Sequence, residues 1–379
     1  MNKLRSISVG TLLLSNVFFG CAESEDAPTE DIRIDAAGIA EVERLADAAV
    51  EAGIPGVSLA ILRDGQTVTI TRGVSSLETG DEVTPQHRFR VASIAKSFVA
   101  SMILQLVHED KLKLSDTLEQ WLPGALPASA DVTIEQLLRQ ESGIFDFAAD
   151  ERHMAPYIRG EAEFFWQPEQ LVALAADHPP DFEPGTRWAY SNTNFALLAM
   201  ILEKIEGDSL EHVVERRITR PLGLQSTTME TDSDMNAPFS RGYLVGLGEE
   251  LVDTTRISGS AVFGNGNLIS TPLEVAHFYR ALARGEVVSR EQLPQMFSLD
   301  ASVPSNYAMG LFRFKDFFEC GTFVGHDGQT PGYDNTGYTT LDGRRQVVVS
   351  VNSSTLDDKA GGPAAHEAWR QLVLAAACR

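Results

Sequence analysis

The sequence predicts an α+β protein in which an antiparallel β-sheet is flanked by helices and joined to a mainly helical subdomain. Strand-like segments occur near both ends of the chain, whereas residues 93–296 between them are rich in apolar residues at helical spacing. Helical segments also open and close the folded part, at Ala36–Glu51 and Gly362–Cys378. Strands from both ends with helices outside them favour one sheet covered by helices.

Two hairpin turns support this sheet. Asp64-Gly65 separates Val57–Leu62 from Thr67–Thr71, and such a dipeptide is typical of a two-residue hairpin turn. Asp342-Gly343 separates the last pair of strands in the same way. The predicted strands of the C-terminal part are Ala308–Phe314, Thr322–Val324, Asp334–Thr340 and Gln346–Val351. We expect one folded unit over residues 34–379, with the helical insert at about 93–296.

The first chemically informative motif is Ser93-Ile94-Ala95-Lys96. Apolar residues at helical spacing follow it, so we expect Ser93 at a helix start as its N-cap. Lys96 then lies one turn away on the same helix face. A lysine that is desolvated near a helix N-terminus has a lowered pKa and can accept the serine proton. The alternative is a capping serine beside a solvated lysine, and this short motif alone does not decide.

The second motif is Tyr190-Ser191-Asn192, between a turn and a helical segment. The phenol of Tyr190 can relay a proton if a nearby lysine lowers its pKa. The amide of Asn192 can accept from a lysine ammonium and also bind a substrate amide. Taken alone, a half-buried loop tyrosine and a helix-capping asparagine are the simpler interpretation.

The third motif is His326-Asp327-Gly328, which follows a short apolar strand. Glycines at the end of that strand let the backbone approach a ligand closely. Alternatively, His326 is a loop histidine on a hairpin and Gly328 serves a turn. No Gly-x-Ser-x-Gly, His-Glu-x-x-His, Walker or Gly-x-Gly-x-x-Gly motif competes with these three motifs.

In this order, the three motifs resemble the active-site motifs of the serine β-lactamase-like, penicillin-recognising hydrolases. The resemblance is closest to the serine D-alanyl-D-alanine carboxypeptidases, which are related to class C β-lactamases and to certain esterases. It covers roughly Ala36 to Ser353. Further segments that match the family are Leu104–Pro123, Leu137–Ile144, Pro221–Leu224 and Gly266–Pro272.

The resemblance implies a β-lactamase/DD-peptidase-like fold and acyl transfer without a cofactor or a metal. Ser93 would attack a carbonyl group and form an acyl-enzyme. Lys96 and Tyr190 would share proton transfer as a coupled pair.

The resemblance also implies supporting roles. Asn192 would orient Lys96 and the substrate amide, and His326 would tune Tyr190 electrostatically. The backbone N–H groups of Ser93 and Gln329 would form the oxyanion hole, with Gly328 beside it.

Two positions depart from the family pattern and bear on the substrate. Asp327 stands where many relatives carry a Thr or Ser whose hydroxyl contacts a substrate carboxylate, and an inward-facing Asp327 would repel that carboxylate. Phe312 stands where carboxypeptidase relatives have an arginine, and Arg313 beside it is expected on the opposite face. The other possibility is that Asp327 points away and pairs with Arg313.

Three functions remain in competition. The leading hypothesis is a D-Ala-D-Ala carboxypeptidase-like hydrolase that acts through a Ser93 acyl-enzyme on a peptidoglycan-type peptide. An esterase, amidase or β-lactamase of the same fold is the alternative, and Asp327 and Phe312 favour it. A non-catalytic penicillin-sensing lipoprotein is the third, and the intact Ser93, Lys96 and Tyr190 count against it.

The charge of the chain limits its partners. The sequence has 53 acidic and 31 basic side chains, a formal net charge of −22. Nucleic-acid binding requires a basic footprint, so this class of function is excluded. Otherwise, the acidity is typical of a soluble surface.

The N-terminus resembles an export signal of the lipoprotein type. Lys3 and Arg5 precede a mostly apolar run that is too short to span a membrane, and the signal covers residues 1–20. Gly20-Cys21 resembles a bacterial lipoprotein cleavage site, although Phe18 replaces the usual leucine. We expect lipid attachment at Cys21, a flexible acidic tether over residues 21–33, and a location in the periplasm or cell envelope. An ordinary cleaved signal is the alternative.

Cys320 and Cys378 are the cysteines outside this signal. In an exported protein, two such cysteines favour one disulfide, which would tie the last helix to a core strand. Two buried free thiols are the alternative.

Overall fold

The computed structural model describes residues 33–245, 251–315, 320–355 and 363–379. These residues belong to one unit, Ile32–Arg379. The predicted export signal, Cys21 and nearly all of the predicted tether lie outside the described residues. No helix within the described ranges has the length and apolar character needed to cross a membrane.

The described residues form helices α1–α12 and strands β1–β12, connected by loops and short 3-10 and π turns. The helices are α1 Ala36–Glu51, α2 Ala95–His108, α3 Leu118–Trp121, α4 Ile134–Arg139, α5 Glu151–Ile158, α6 Pro168–Ala176, α7 Asn192–Glu206, α8 Leu210–Val214, α9 Arg220–Leu222, α10 Pro272–Ala283, α11 Leu293–Met296 and α12 Pro363–Cys378. The strands are β1 Gly56–Arg63, β2 Gln66–Gly73, β3 Phe89–Arg90, β4 Thr228–Met229, β5 Tyr243–Val245, β6 Leu251–Asp253, β7 Leu268–Ser270, β8 Phe312–Phe314, β9 Phe323–Thr330, β10 Tyr333–Thr340, β11 Arg345–Val351 and β12 Ser353–Thr355.

The main sheet has six strands in the order β2-β1-β11-β10-β9-β8, and all neighbours are antiparallel. The turn between β1 and β2 has positive φ at both Asp64 and Gly65, as a type I′ hairpin turn requires. The first strand of the chain pairs with β11, near the other end of the sequence. The prediction of an antiparallel sheet flanked by helices is therefore confirmed.

The inner strands β1, β10 and β11 are buried on both faces, which explains why β1 is mostly apolar and does not alternate with polar residues. Leu59 and Ile61 belong to the core under α1 and α12, whereas Ala60 and Leu62 belong to the core shared with the helical part of the chain. Burying one such aliphatic side chain contributes roughly 1.5–3 kcal/mol. Two apolar layers thus hold the sheet between helices, with residues 93–296 on one side.

Strand β9 is longer than predicted. The sequence indicated a strand that ends at Val324, but the strand continues to Thr330 and includes His326. Its glycines do not end the strand; they are needed where another segment of backbone approaches closely. An added Cβ at Gly325 would lie 2.0 Å from the carbonyl oxygen of Gly337 on the neighbouring strand. The helical region also contains the short strands β4, β5, β6 and β7. Strands β4 and β7 form a sheet with β3, in the order β3-β7-β4, and β5 and β6 form one with β12, in the order β12-β5-β6.

Candidate active site

Ser93 lies in a 3-10 turn, Ala92–Ile94, that leads into α2. The prediction that Ser93 is the N-cap of this helix was wrong, because Ile94 holds that position. The turn places Ala92 in the left-handed region with a φ of 48°, which costs about 1–2 kcal/mol for a residue with a Cβ. The Ser93 hydroxyl is thereby free to contact other catalytic groups.

Lys96 is fully buried, and its ammonium group has three partners. Nζ donates to Ser93 Oγ at 2.9 Å, to Asn192 Oδ1 at 2.8 Å and to the backbone oxygen of Asn265 at 2.9 Å. Burial lowers the pKa of Lys96 to about 7, and the nearby carboxylate of Asp146 opposes this shift. Near neutral pH, a large fraction of Lys96 is therefore an uncharged amine, as a general base must be.

Tyr190 donates its hydroxyl proton to Ser93 Oγ at 2.9 Å. Burial raises the pKa of Tyr190 well above its ordinary value, although the hydrogen bond with Ser93 lowers it slightly. A lowered pKa, the condition under which the sequence made Tyr190 a proton relay, is not found here, because desolvation of the phenolate outweighs the other effects. Tyr190 is therefore a neutral phenol in the resting site and can give a proton.

His326 lies beside Tyr190, with 6.1 Å between the ring centroids. Its Nδ1 contacts the carbonyl oxygen of Asp327, which can only accept, so the Nδ1 proton is donated there. Its Nε2 then accepts from the hydroxyl of Tyr307 at 3.1 Å. Burial and the charge of Lys96 lower the pKa of His326 to about 3. His326 therefore acts on Tyr190 as a neutral dipole and not as a cation.

Gly328 brings β9 against the Ser93 turn. An added Cβ there would lie 2.0 Å from the carbonyl oxygen of Val91 and 3.2 Å from the backbone nitrogen of Ser93. Asn335 fastens the two segments, because its Nδ2 donates to the carbonyl oxygens of Arg90 and Gly328, both at 3.0 Å. The Ser93 N–H therefore lies next to the strand that carries Gln329, where the predicted oxyanion hole would form.

Asp327 faces away from Ser93. Alternation along β9 places it on the side of Phe323, which packs in the core under α1 and α12. Its Oδ1 accepts from Thr336 Oγ1 at 2.9 Å, and it borders a cavity lined by residues of α1 and α12. Arg313 instead donates to the carbonyl oxygen of Phe297 at 3.0 Å. Asp327 thus points away, as one alternative held, but its partners are Thr336 and Tyr338 and not Arg313.

Phe312 packs against His326 and Tyr307. Its ring centroid is 5.0 Å from that of His326 and 4.8 Å from that of Tyr307. Tyr307 also packs edge-on against Tyr190, at 6.3 Å. This side of the site is therefore aromatic and uncharged.

Three members of the site were not identified from the sequence: Asp146, Asn265 and Tyr307. Asp146 comes two residues after the matching segment Leu137–Ile144, which was a usable signal. Asn265 contributes a backbone oxygen, so its side chain gives no indication of the role. Among the described residues, no group of three or more His, Cys, Asp or Glu side chains could hold a metal ion.

Comparison with known proteins agrees with this geometry. Residues 42–371 match the family model described as Beta-lactamase. The chain belongs to this family. Members of the β-lactamase family with this fold are serine hydrolases, among them peptidases and amidases.

Three β-lactamase family relatives illustrate the range of names. The chain is 32% identical to a D-stereospecific amidohydrolase from Streptomyces sp., with a TM-score of 0.79 over 91% of this chain and 98% of that one. It is 25% identical to putative penicillin-binding protein PbpX of Bacillus subtilis, over 80% of this chain and 71% of the relative. It is 33% identical to penicillin-binding protein 4 of Amycolatopsis lactamdurans, over 55% of this chain and about half, 53%, of the relative.

Proposed function

We propose that the protein hydrolyses amide bonds of D-amino acid derivatives through an acyl-enzyme on Ser93. The observation that carries the reaction is the pair of contacts at Ser93 Oγ, with a buried amine on one side and a phenol on the other. Likeness to the D-stereospecific amidohydrolase from Streptomyces over 91% of the chain supports the substrate class.

The geometry supports the following sequence of proton transfers. Neutral Lys96 takes the Ser93 proton as Oγ bonds to the substrate carbonyl carbon. The N–H groups of Ser93 and Gln329 bind the oxyanion. The C–N bond then breaks, and Tyr190 gives its phenolic proton to the leaving nitrogen. The proton held by Lys96 restores Tyr190, and water releases the acyl group by the reverse steps.

The aromatic side of the site favours a substrate without a free carboxylate next to the scissile bond. Phe312 is apolar, His326 is neutral, and Arg313 binds the carbonyl oxygen of Phe297. None of these three described positions offers a cation to a carboxylate. An amino acid amide avoids this problem, because its leaving group is ammonia.

The second candidate is the D-Ala-D-Ala carboxypeptidase reaction. It is favoured by likeness to the two penicillin-binding proteins. It is also favoured by Asp327, whose carboxylate lies on the far face of β9 and does not repel a substrate carboxylate.

One set of rates tests both candidates. We expect kcat/KM for D-phenylalanine amide to exceed that for the L-enantiomer and for an acetylated peptide ending in D-Ala-D-Ala. Ser93→Ala should lose several orders of magnitude for every substrate, as when a serine nucleophile is removed. Faster turnover of the D-Ala-D-Ala peptide would favour the second candidate, and turnover in Ser93→Ala equal to that of the wild type would refute the mechanism.

We also propose that the protein is exported and anchored by a lipid on Cys21. The supporting observation is Gly20-Cys21 after a basic start and an apolar run. Cells fed a labelled fatty acid should incorporate the label in the wild type but not in Cys21→Ala. Equal labelling of the two proteins would contradict the anchor.

A further inference from the structure

Asp146 lies next to the catalytic groups, in the connection between α4 and α5. It is the N-cap of the 3-10 turn Phe147–Ala149. Its Oδ1 accepts from the backbone N–H of Ala148 at 3.0 Å and from that of Asn192 at 3.1 Å. Its Oδ2 accepts from Asn192 Nδ2 at 3.0 Å. Two of its three hydrogen bonds thus go to one residue, and that residue contacts Lys96.

These contacts leave the Asn192 amide only one orientation. A carboxylate accepts hydrogen bonds and a lysine ammonium donates them, so an amide between the two must turn its NH₂ group to Asp146. Its oxygen then faces Lys96 Nζ, at 2.8 Å. Without the carboxylate, the amide could rotate by 180° and present a donor to the ammonium. Asp146 thereby sets the orientation of a group that holds the base.

Asp146 also carries the negative charge that acts on Lys96. The other titratable groups around Lys96 in the described part of the chain are Tyr190 and His326, and both are neutral at pH 7. Asp146 favours the charged form of Lys96. Burial raises the pKa of Asp146, and the hydrogen bond from Ala148, the charge of Lys96 and the hydrogen bonds from Asn192 oppose that rise. His153 on α5 also senses Asp146, but burial lowers the pKa of His153 and keeps it neutral.

We propose that Asp146 is the positioning residue of the catalytic base. It holds Asn192 in the orientation that Lys96 requires, and it balances the ammonium that forms when Ser93 transfers its proton. This inference rests on the proposed function of Ser93 and adds a residue that acts through Asn192 and Lys96.

The pH dependence of acylation distinguishes this role from a purely structural one. Because Lys96 must be neutral to accept a proton, the rate should rise with pH through about 7 in the wild type. Asp146→Asn removes a charge that raises the pKa of Lys96, so the midpoint should move to lower pH, by about one unit. The plateau rate should also fall by about tenfold or more, since the new ammonium loses its balancing charge. A merely structural role would reduce the rate without moving the midpoint.

Asp150→Asn is the matched control. Asp150 caps α5 in the same manner, accepting from the backbone N–H of Arg152 at 2.9 Å, and its other partners are Arg152 and His178. It donates nothing to and accepts nothing from the catalytic groups. Its replacement should leave the midpoint of the pH profile in place even if the melting temperature falls.

The experiment measures acylation of the full chain by p-nitrophenyl acetate from pH 5 to 9, with melting curves for each variant. A second variant, Asp146→Asn with Asn192→Asp, exchanges the two groups and returns a negative charge next to Lys96. Its midpoint should lie at or above that of the wild type, and it decides the matter if Asp146→Asn does not fold.

Three outcomes are distinguishable. A lowered midpoint in Asp146→Asn, restored by the exchange and absent in Asp150→Asn, supports the role. The role is overturned if folded Asp146→Asn has the same midpoint as the wild type. It is also overturned if the midpoint of the exchange variant lies below that of the wild type. If wild-type Ser93 is not acylated at any pH, the proposed function fails and this inference fails with it.

Discussion

Lys96 and Tyr190 contact the same atom, Ser93 Oγ, and each does so at 2.9 Å. In the proposed mechanism they therefore handle one proton between them and act as a unit. Lys96→Ala and Tyr190→Phe should each reduce the acylation rate by several orders of magnitude, and the double variant should lose little more than the slower single variant. Single-turnover rates of the three variants measure this. Fully additive losses would mean that the two side chains work in separate steps.

Asp327 should have little influence on the choice of substrate, because its carboxylate is bound to Thr336 on the far face of β9. In Asp327→Thr, the ratio of kcat/KM for a carboxylate-bearing substrate to that for a neutral ester should stay unchanged. Thermal stability should fall, since one hydrogen bond contributes about 1 kcal/mol. Thr336→Val is the control and should show the same pattern. A shift of the ratio towards carboxylate-bearing substrates would show that Asp327 reaches the substrate.

The sequence predicts catalytic side chains better than their surroundings. Ser93, Lys96, Tyr190 and Asn192 are recognisable because the chemistry fixes both residue type and spacing. The direction of the pKa shift of Tyr190 could not be predicted, because desolvation depends on packing that only the folded chain provides.

Among the strands, turn residues in the sequence predict hairpins, but they do not predict where segments distant in the chain pack closely together. The β1–β2 hairpin follows from Asp64-Gly65, two residues whose backbone preferences act locally. The length of β9 could not be predicted, because its glycines are needed for contacts with distant parts of the chain. Gly325 and Gly328 leave room for the backbone oxygens of Gly337 and Val91, and Val91 is more than 200 residues away from Gly328 in the sequence. From the sequence alone, a glycine that allows a close backbone approach looks the same as one that ends a strand, so the predicted strand is cut short at it.

The C-terminal helix is covalently joined to the sheet. Cys320, just before β9, forms a disulfide with Cys378 at the end of α12, across a separation of 58 residues. A bridge of this kind typically contributes roughly 2–4 kcal/mol. Reduction should therefore lower the melting temperature. The double variant Cys320→Ser with Cys378→Ser should have the same melting temperature as the reduced wild type. Two titratable thiols in protein isolated without a reducing agent would contradict the bridge.

For the molecule as a whole, the formal net charge of −22 acts on substrates before they bind. Such a field attracts cations and repels anions over roughly a Debye length, about 10 Å at 0.1 M salt and 3 Å at 1 M. We expect added salt to slow acylation by a cationic aryl ester and to accelerate acylation by an anionic ester of the same acyl group. A neutral ester is the control, and an identical salt response of all three would argue against electrostatic attraction.

During synthesis the N-terminal part of the chain emerges first, yet β1 pairs on its inner side with β11, almost at the other end of the sequence. Until Arg345–Val351 has emerged, the sheet stays open and β9 has no fixed place beside Ser93. A nascent chain therefore carries its nucleophile without the strand that is expected to complete the oxyanion hole. We therefore expect hydrolysis only when the chain is nearly complete, and a stop codon shortly before β11 should abolish activity although every catalytic side chain is still made.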